Sequence, residues 1–332
     1  MTTITSLSNL KMGKKLKIFT LPNKEVKYLN LQIDSFKKYM DLPDVDFTVI
    51  NGSIHQREEI NKICEERGIE VNQYHGEVNW SPIEYGTKHY NWFVNNMVRG
   101  SSDYILLIHP DMFFIDEIKY KEILSDKKLM FVPRYTTDFF YMWEGMILLD
   151  ADFFNSSGLI DHFDITGFLK GPHGWTDGGG ASSKLLEKMD SKDYGFFEFW
   201  NLHDLDDNSY MTNLNGHARY RFDLYDRKII WDATGIEGPF LGDKTYPYEL
   251  GREDYSEYYI NNFLWIKENF ISGYPFPRPV HIDIICKAGD LRNPFVIHFK
   301  SGSGYQDFFN ESYQDEKMEA LRRVIHKEEK QK

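Results

Sequence analysis

"YILLIHPDMFFID", residues 104–116, decides how the chain reads. A run of Leu and Ile leads into His109, Pro110 and Asp111, and apolar residues resume at Met112. Such a continuous apolar run is what a central parallel strand, buried on both faces, presents. Proline cannot donate to a strand ladder, so Pro110 marks a break in it. A histidine and a carboxylate therefore fall at a strand's carboxyl end, where open α/β sheets bind their ligands.

The flanking sequence supports that placement. "KLKIFTL" at 15–21 reads as a compact strand, and Val26, Leu29, Ile33, Phe36 and Met40 then recur at helical spacing. "DFTVING" at 46–52 is a second strand, stopped by Asn-Gly. Strand, helix and strand in that order predict a right-handed parallel unit. A helix near 56–67, a strand at 69–74 and a helix from Pro82 to Val98 continue the alternation. The expected fold class is α/β, with a leader at 1–14 and a doubly wound nucleotide-binding half at 15–116.

The second half, 117–313, changes character. Strands at 129–134 and 145–150 are spaced like an antiparallel addition, and 155–250 is rich in Gly, Asp and aromatic residues with little periodicity. That stretch reads either as long functional loops or as ordinary structure with a weak sequence signal. A helix at 255–270, strands in "VHIDIICK" and "FVIHFK", and a charged helix or tail over 314–332 complete the chain.

Composition narrows the function. Lys plus Arg total 39 against 51 Asp plus Glu, a net charge of -12, so a nucleic-acid backbone is a poor partner. Cys64 and Cys286 are too few for a disulfide framework or a metal knuckle, and read as buried thiols in a reducing compartment. No window approaches a membrane span. The expected location is the cytoplasm of a cell or of an infected host, at most peripheral to a membrane. Aromatic residues reach 16%, which suits flat platforms for sugars as well as a core.

In the order of its elements the chain resembles the GT-A class of nucleotide-sugar-dependent glycosyltransferases. That class ends the corresponding strand in a short Asp-x-Asp motif holding a divalent metal on the donor's diphosphate; "HPD" stands here in its place. His109 replaces the first Asp and Asp111 matches the last, usually the direct metal ligand. "PRYTTDFFYMWEGMILLDADFF" at 133–154 looks like the class's segment near donor and acceptor, and "WTDGGG" at 175–180 is similar to acceptor-side Asp-Gly stretches. "VIHFKSGSGY" at 296–305 resembles the late strand whose histidine completes the metal site, followed by a loop closing on the diphosphate.

The resemblance implies a mostly parallel doubly wound sheet with an antiparallel, loop-rich acceptor half. It implies metal ligands Asp111, His109 and His298, and diphosphate contacts from His109, Lys300, Ser301 and Gly302. Thr20, Leu21, Pro22, Asn51, Lys88 and Asn91 would surround base and ribose of a UDP- or GDP-linked donor. Asp177 is the candidate catalytic base. Glu144 is the second candidate carboxylate, placed to bind the transferred or accepting sugar of a glycan or glycoconjugate acceptor. A carboxylate with one or two imidazoles leans toward Mn²⁺ over Mg²⁺.

Plainer readings stand beside these. His109 and Asp111 fit a strand-end turn, His298 a buried histidine bonded to a carbonyl, and Asp177 a turn carboxylate before three glycines. His281 is a rival third ligand, and "HDLDD" at 203–207 has the composition of a metal cluster or of an exposed acidic loop. Two further functions remain open: a metal-dependent phosphohydrolase or nucleotidyltransferase, and a noncatalytic carbohydrate-binding protein on a transferase fold.

Overall fold

Alternate residues of the early strands are buried on opposite faces. Leu16 and Ile18 pack into one apolar cluster and Phe19 into a second, and Leu106 and Ile108 face the first while Ile105 and Leu107 face the second. The computed structural model describes residues 13–22, 26–76, 82–135, 140–165, 170–171, 174–175, 178–201, 282–287, 290, 292–299 and 311–326. The expected helix at 255–270 and the "HDLDD" segment lie outside the described residues.

Strands β1 (Leu16–Thr20), β2 (Val45–Asn51), β3 (Glu70–Gln73) and β4 (Tyr104–Ile108) pair in the order β3-β2-β1-β4, all parallel. They are joined by helices α1 (Val26–Tyr39), α2 (Arg57–Arg67) and α3 (Pro82–Phe93), the last running into one π-helical turn at Val94–Val98. Helix α1 buries Val26, Leu29, Ile33 and Phe36, the stripe that the spacing predicts. Helix α2 stops where Gly68 takes φ 65 and returns its N–H to the Cys64 and Glu65 carbonyls. The chain proceeds outward from β1 to β3 and then crosses to β4 on the other side. The strand order therefore reverses between β1 and β4, the place where such sheets open a ligand crevice.

The run at 104–116 is two strands, not one. Met112 N–H donates to the His109 carbonyl at 3.1 Å, closing a turn with Pro110 at its second position, where a fixed φ is favoured. Strand β5 (Met112–Phe114) leaves that turn and pairs far away in the sheet order. Past β4 the order continues through β7 (Phe140–Asp150), β6 (Leu129–Tyr135), β10 (Tyr194–Asn201), β11 (Asp283–Lys287), β12 (Val296–His298) and finally β5. These pairings are antiparallel except β6 with β10, so the second half has the expected antiparallel character. A short pair, β8 (Lys170–Gly171) and β9 (Gly174–Trp175), stands apart.

A link as short as His109-Pro110-Asp111 spans about 13 Å at most. The strands from β4 round to β5 therefore curl until first and last meet at the turn. Leu106, Met146, Val132, Phe197, Ile285, Val296 and Phe114, one or more from each of these strands, share a single buried cluster. The curl brings the ends of β4 and β12 together.

Candidate metal centre

Three elements hold the His-Pro-Asp turn. His109 N–H continues the ladder to the Gly145 carbonyl of β7 at 2.9 Å. From α1, the buried Gln32 amide donates to the His109 carbonyl at 2.8 Å and to the Met112 carbonyl at 2.9 Å, straddling the turn. One turn further along, the Ser35 hydroxyl accepts from Phe114 N–H at 3.1 Å. Just past β12, Phe299 N–H donates to the Asp111 carbonyl at 2.9 Å.

This scaffold gathers His109, Asp111 and His298, whose ligating atoms lie within 4.8 Å of one another. Asp111 Oδ1 is 3.6 Å from His298 Nε2 and 4.0 Å from His109 Nδ1. Ligands about 2.1 Å from a shared cation sit about 3–4 Å apart, so closure by well under an ångström at each atom forms the site. The second nitrogen of each ring is already engaged. His298 Nδ1 donates to Asp283 Oδ2 at 2.7 Å, and His109 Nε2 shares a hydrogen bond with the Tyr90 hydroxyl at 3.0 Å. Fixing one imidazole nitrogen so that the other faces the ion is how metal-binding histidines are oriented. The donor set fits a divalent cation.

Charge and packing agree with that fit. Asp111 and Asp283 are both fully buried, and buried anions need nearby positive charge. Burial drives the His298 imidazole toward its neutral form, but the Asp111 carboxylate and then Asp283 more than reverse this and raise its pKa. Trp143 packs edge-on against His109 and His298, with ring centroids 5.1 Å away in each case. Behind it the buried Arg134 guanidinium lies 4.6 Å from the Trp143 ring centre. Trp143 is thus wedged between the site and the core, and is not an open platform for sugar. Lys317 is buried on the far side, where desolvation pulls its pKa down to about 8 against the opposing pull of Asp111.

The other expected site residues fall in several places. Thr20, Leu21 and Pro22 are buried at the end of β1, beside the end of β4. The Thr20 hydroxyl has no hydrogen-bond partner among the described residues. Asn51 is buried too, but its side chain is occupied. Its amide donates to the Arg57 carbonyl and to Asn61, and its Oδ1 accepts from Ser53 N–H, so it shapes the loop after β2. Lys88 and Asn91 are exposed on α3, flanking Tyr90, which reaches the site.

Glu144 is half-buried on β7, next to Trp143. Gly178 crosses it so closely that a Cβ there would lie 1.9 Å from a Glu144 carboxylate oxygen. Gly179, at φ 95, would meet the Met142 carbonyl at 1.9 Å. Gly178 and Gly179 are therefore explained by their close approach to β7. Asp177, Lys300, Ser301, Gly302 and His281 lie outside the described residues. Reading the sequence alone missed Gln32, Tyr90, Asp283 and Lys317. Asp283 lies two positions from the rival His281 and directly opposite His298 in register.

No protein-family model and no curated protein matches the chain. Among solved structures it is similar to S. aureus TarS, at 15% identity over 36% of this chain and 21% of that chain, with a TM-score of 0.27. It is similar to mouse xyloside xylosyltransferase 1, at 9% identity over 55% and 84% of the two chains, with a TM-score of 0.36. The glycosyltransferase GlyE of Streptococcus pneumoniae TIGR4 matches at 13% identity over 78% and 64%, with a TM-score of 0.34. The chain thus spans about a fifth of the TarS chain. All are remote, and the functional reading stands on the site's own geometry. Among the described residues no helix is long and apolar enough to cross a membrane.

Proposed function

We propose that this protein is a metal-dependent glycosyltransferase that moves a sugar from a UDP- or GDP-linked donor to a glycan or glycoconjugate acceptor. The observation that carries the reading is the His109, Asp111 and His298 cluster at the reversal of strand order, with each imidazole already oriented by a partner. A divalent cation bound there, Mn²⁺ by preference for mixed N and O donors or else Mg²⁺, supplies Lewis-acid stabilisation to the departing diphosphate.

The chain's own residues do the rest. Asp111 contributes the anionic donor and the turn holds it rigid, so little reorganisation accompanies binding. Thr20 to Pro22, the loop that Asn51 shapes, and Lys88 with Asn91 line the side of the crevice given to base and ribose. Lys300, Ser301 and Gly302 are assigned to the phosphates on the resemblance of their sequence. Glu144 holds the acceptor or transferred sugar, and Asp177 takes the acceptor hydroxyl's proton in an inverting transfer.

The test is release of nucleoside diphosphate from a panel of UDP- and GDP-sugars, followed by chromatography with Mn²⁺ or with EDTA. Metal-dependent release from one nucleotide class, lost in Asp111→Ala, supports the reading. Turnover of simple phosphate esters or nucleoside triphosphates with no sugar donor points to a phosphohydrolase or nucleotidyltransferase instead.

A further inference from the structure

We propose that Lys317 is a positioning residue that sets the charge of the metal centre, weakening its hold on a divalent cation until an anionic diphosphate shares the site. The inference rests on the metal-dependent reading above.

The helix Glu311–Ile325 brings Lys317 to the site. It is fastened to α1 by the Tyr28 hydroxyl, which donates to Gln314 at 3.1 Å, and by the Tyr39 hydroxyl, which donates to the Ile325 carbonyl at 3.2 Å. Met318, Leu321, Val324 and Ile325 are buried along the same helix. Lys317 is as buried as they are, at 0% exposure. Its ammonium lies 4.5 Å from the centre of the Phe299 ring, which packs edge-on against Phe113 at 5.0 Å and Tyr28 at 5.9 Å.

Phe299 directly follows the ligand His298 and donates its N–H to the Asp111 carbonyl. The ammonium is thus one aromatic ring away from the backbone that carries two of the three ligands, and it is coupled electrostatically to Asp111 and Asp283. Burying a lysine is costly without a compensating anion, and a leucine or methionine would fill this position on an apolar face more cheaply.

The charge count gives the consequence. Among the described residues the ammonium of Lys317 offsets part of the negative charge of Asp111 and Asp283, as the Arg134 guanidinium does from behind Trp143, so the cation meets less negative charge than the two carboxylates alone would present. A dication then leaves the centre positive, and the donor's diphosphate completes the neutralisation. Without Lys317 the net negative charge facing the ion would be larger by one. Metal would bind tightly alone and gain little from nucleotide.

The experiment is a Mn²⁺ titration of the full chain, with free ion read by electron paramagnetic resonance, alone and with UDP or GDP. For Lys317→Met, Mn²⁺ alone should bind about tenfold tighter or more, as expected from removing a like charge from a low-dielectric site. The gain in Mn²⁺ affinity on adding nucleotide should shrink by a similar factor. Lys317→Gln, which keeps a polar head, is read in the same way should the methionine variant fail to fold. Lys62→Met, at an exposed lysine on α2 with no contact to the site, serves as the surface control and should match wild type.

A folded Lys317→Met or Lys317→Gln protein with Mn²⁺ affinity equal to or weaker than wild type would overturn the inference, because a merely structural lysine lowers melting temperature without tightening metal. Equal Mn²⁺ binding by wild type and Asp111→Ala would overturn the metal centre itself, and the inference with it.

Discussion

Gln32 gives the sharpest test of how the site is built. Its amide nitrogen donates to two carbonyls on either side of the His-Pro-Asp turn, at 2.8 and 2.9 Å, in a fully buried setting. Its Oε1 accepts no hydrogen bond among the described residues, so Gln32→Met removes the two donated bonds and little else. At about 1 kcal/mol net per bond the loss is about 2 kcal/mol, rising toward about 4 kcal/mol if the stranded carbonyls stay dry. That corresponds to a fall in melting temperature of about 3–8 °C. Gln32→Glu should be worse than Gln32→Met, since a carboxylate would then face two carbonyl oxygens in a buried site. Thermal and urea melts, run with and without MnCl₂, measure the effect. Both variants should also show a smaller stabilisation by Mn²⁺, because the turn carries two of the ligands. A Gln32→Met protein within about 0.5 kcal/mol of wild type, or a Gln32→Glu protein as stable as it, would refute the reasoning.

Other perturbations have equally definite outcomes. Asp283→Asn keeps the shape but weakens the anchor of His298, and should cost about 10–100-fold in Mn²⁺ affinity, read by titration, with the protein still folded. His89 is buried against Tyr74 with its pKa pushed down to about 3 by desolvation, so its unfolded form binds more protons below about pH 6.5. Its contribution to stability is therefore present above about pH 6.5 and is lost progressively as pH falls toward about 3, about 2 kcal/mol being gone by pH 5. Urea melts at pH 7.5 and pH 5 should differ less in His89→Gln by that amount; an unchanged difference rejects the assignment. Gly179→Ala meets both a positive φ and the Met142 carbonyl, and should lose about 3 kcal/mol or more in the same melts. A loss under about 1 kcal/mol would mean that the loop does not cross β7 as closely as described.

The parallel half was legible because its inner strands β1, β2 and β4 are buried on both faces and its helices on one, so burial writes itself into period and continuity. Leu106 and Ile108 against Ile105 and Leu107 is that rule in the structure. The curl of the sheet was not legible, because nothing local in "MFF" says that it pairs with β12 some 180 residues later, at the far end of the sheet order. The same non-locality hid Asp283, whose role depends on lying opposite His298. In sequence, Gln32 is a polar position among the apolar Leu29, Ile33 and Phe36, and Lys317 is one charge among many in "DEKMEALRR". Only tertiary packing turns either inward. Asn51 shows the reverse: the resemblance implied a contact with base or ribose, whereas its side chain is engaged by its own loop.

The most direct measurement is a thermal-shift panel of UDP-, GDP-, CMP- and dTDP-sugars on wild type and Asp111→Ala, each with Mn²⁺ and with EDTA. A ligand that binds only the folded state raises the melting temperature by mass action, about 2.7 kcal/mol of stabilisation at a hundredfold excess over Kd. A rise with one nucleotide class that requires Mn²⁺ and vanishes in Asp111→Ala is the result predicted here. A rise that is indifferent to EDTA and to the Asp111 substitution would contradict a metal centre at the His-Pro-Asp turn.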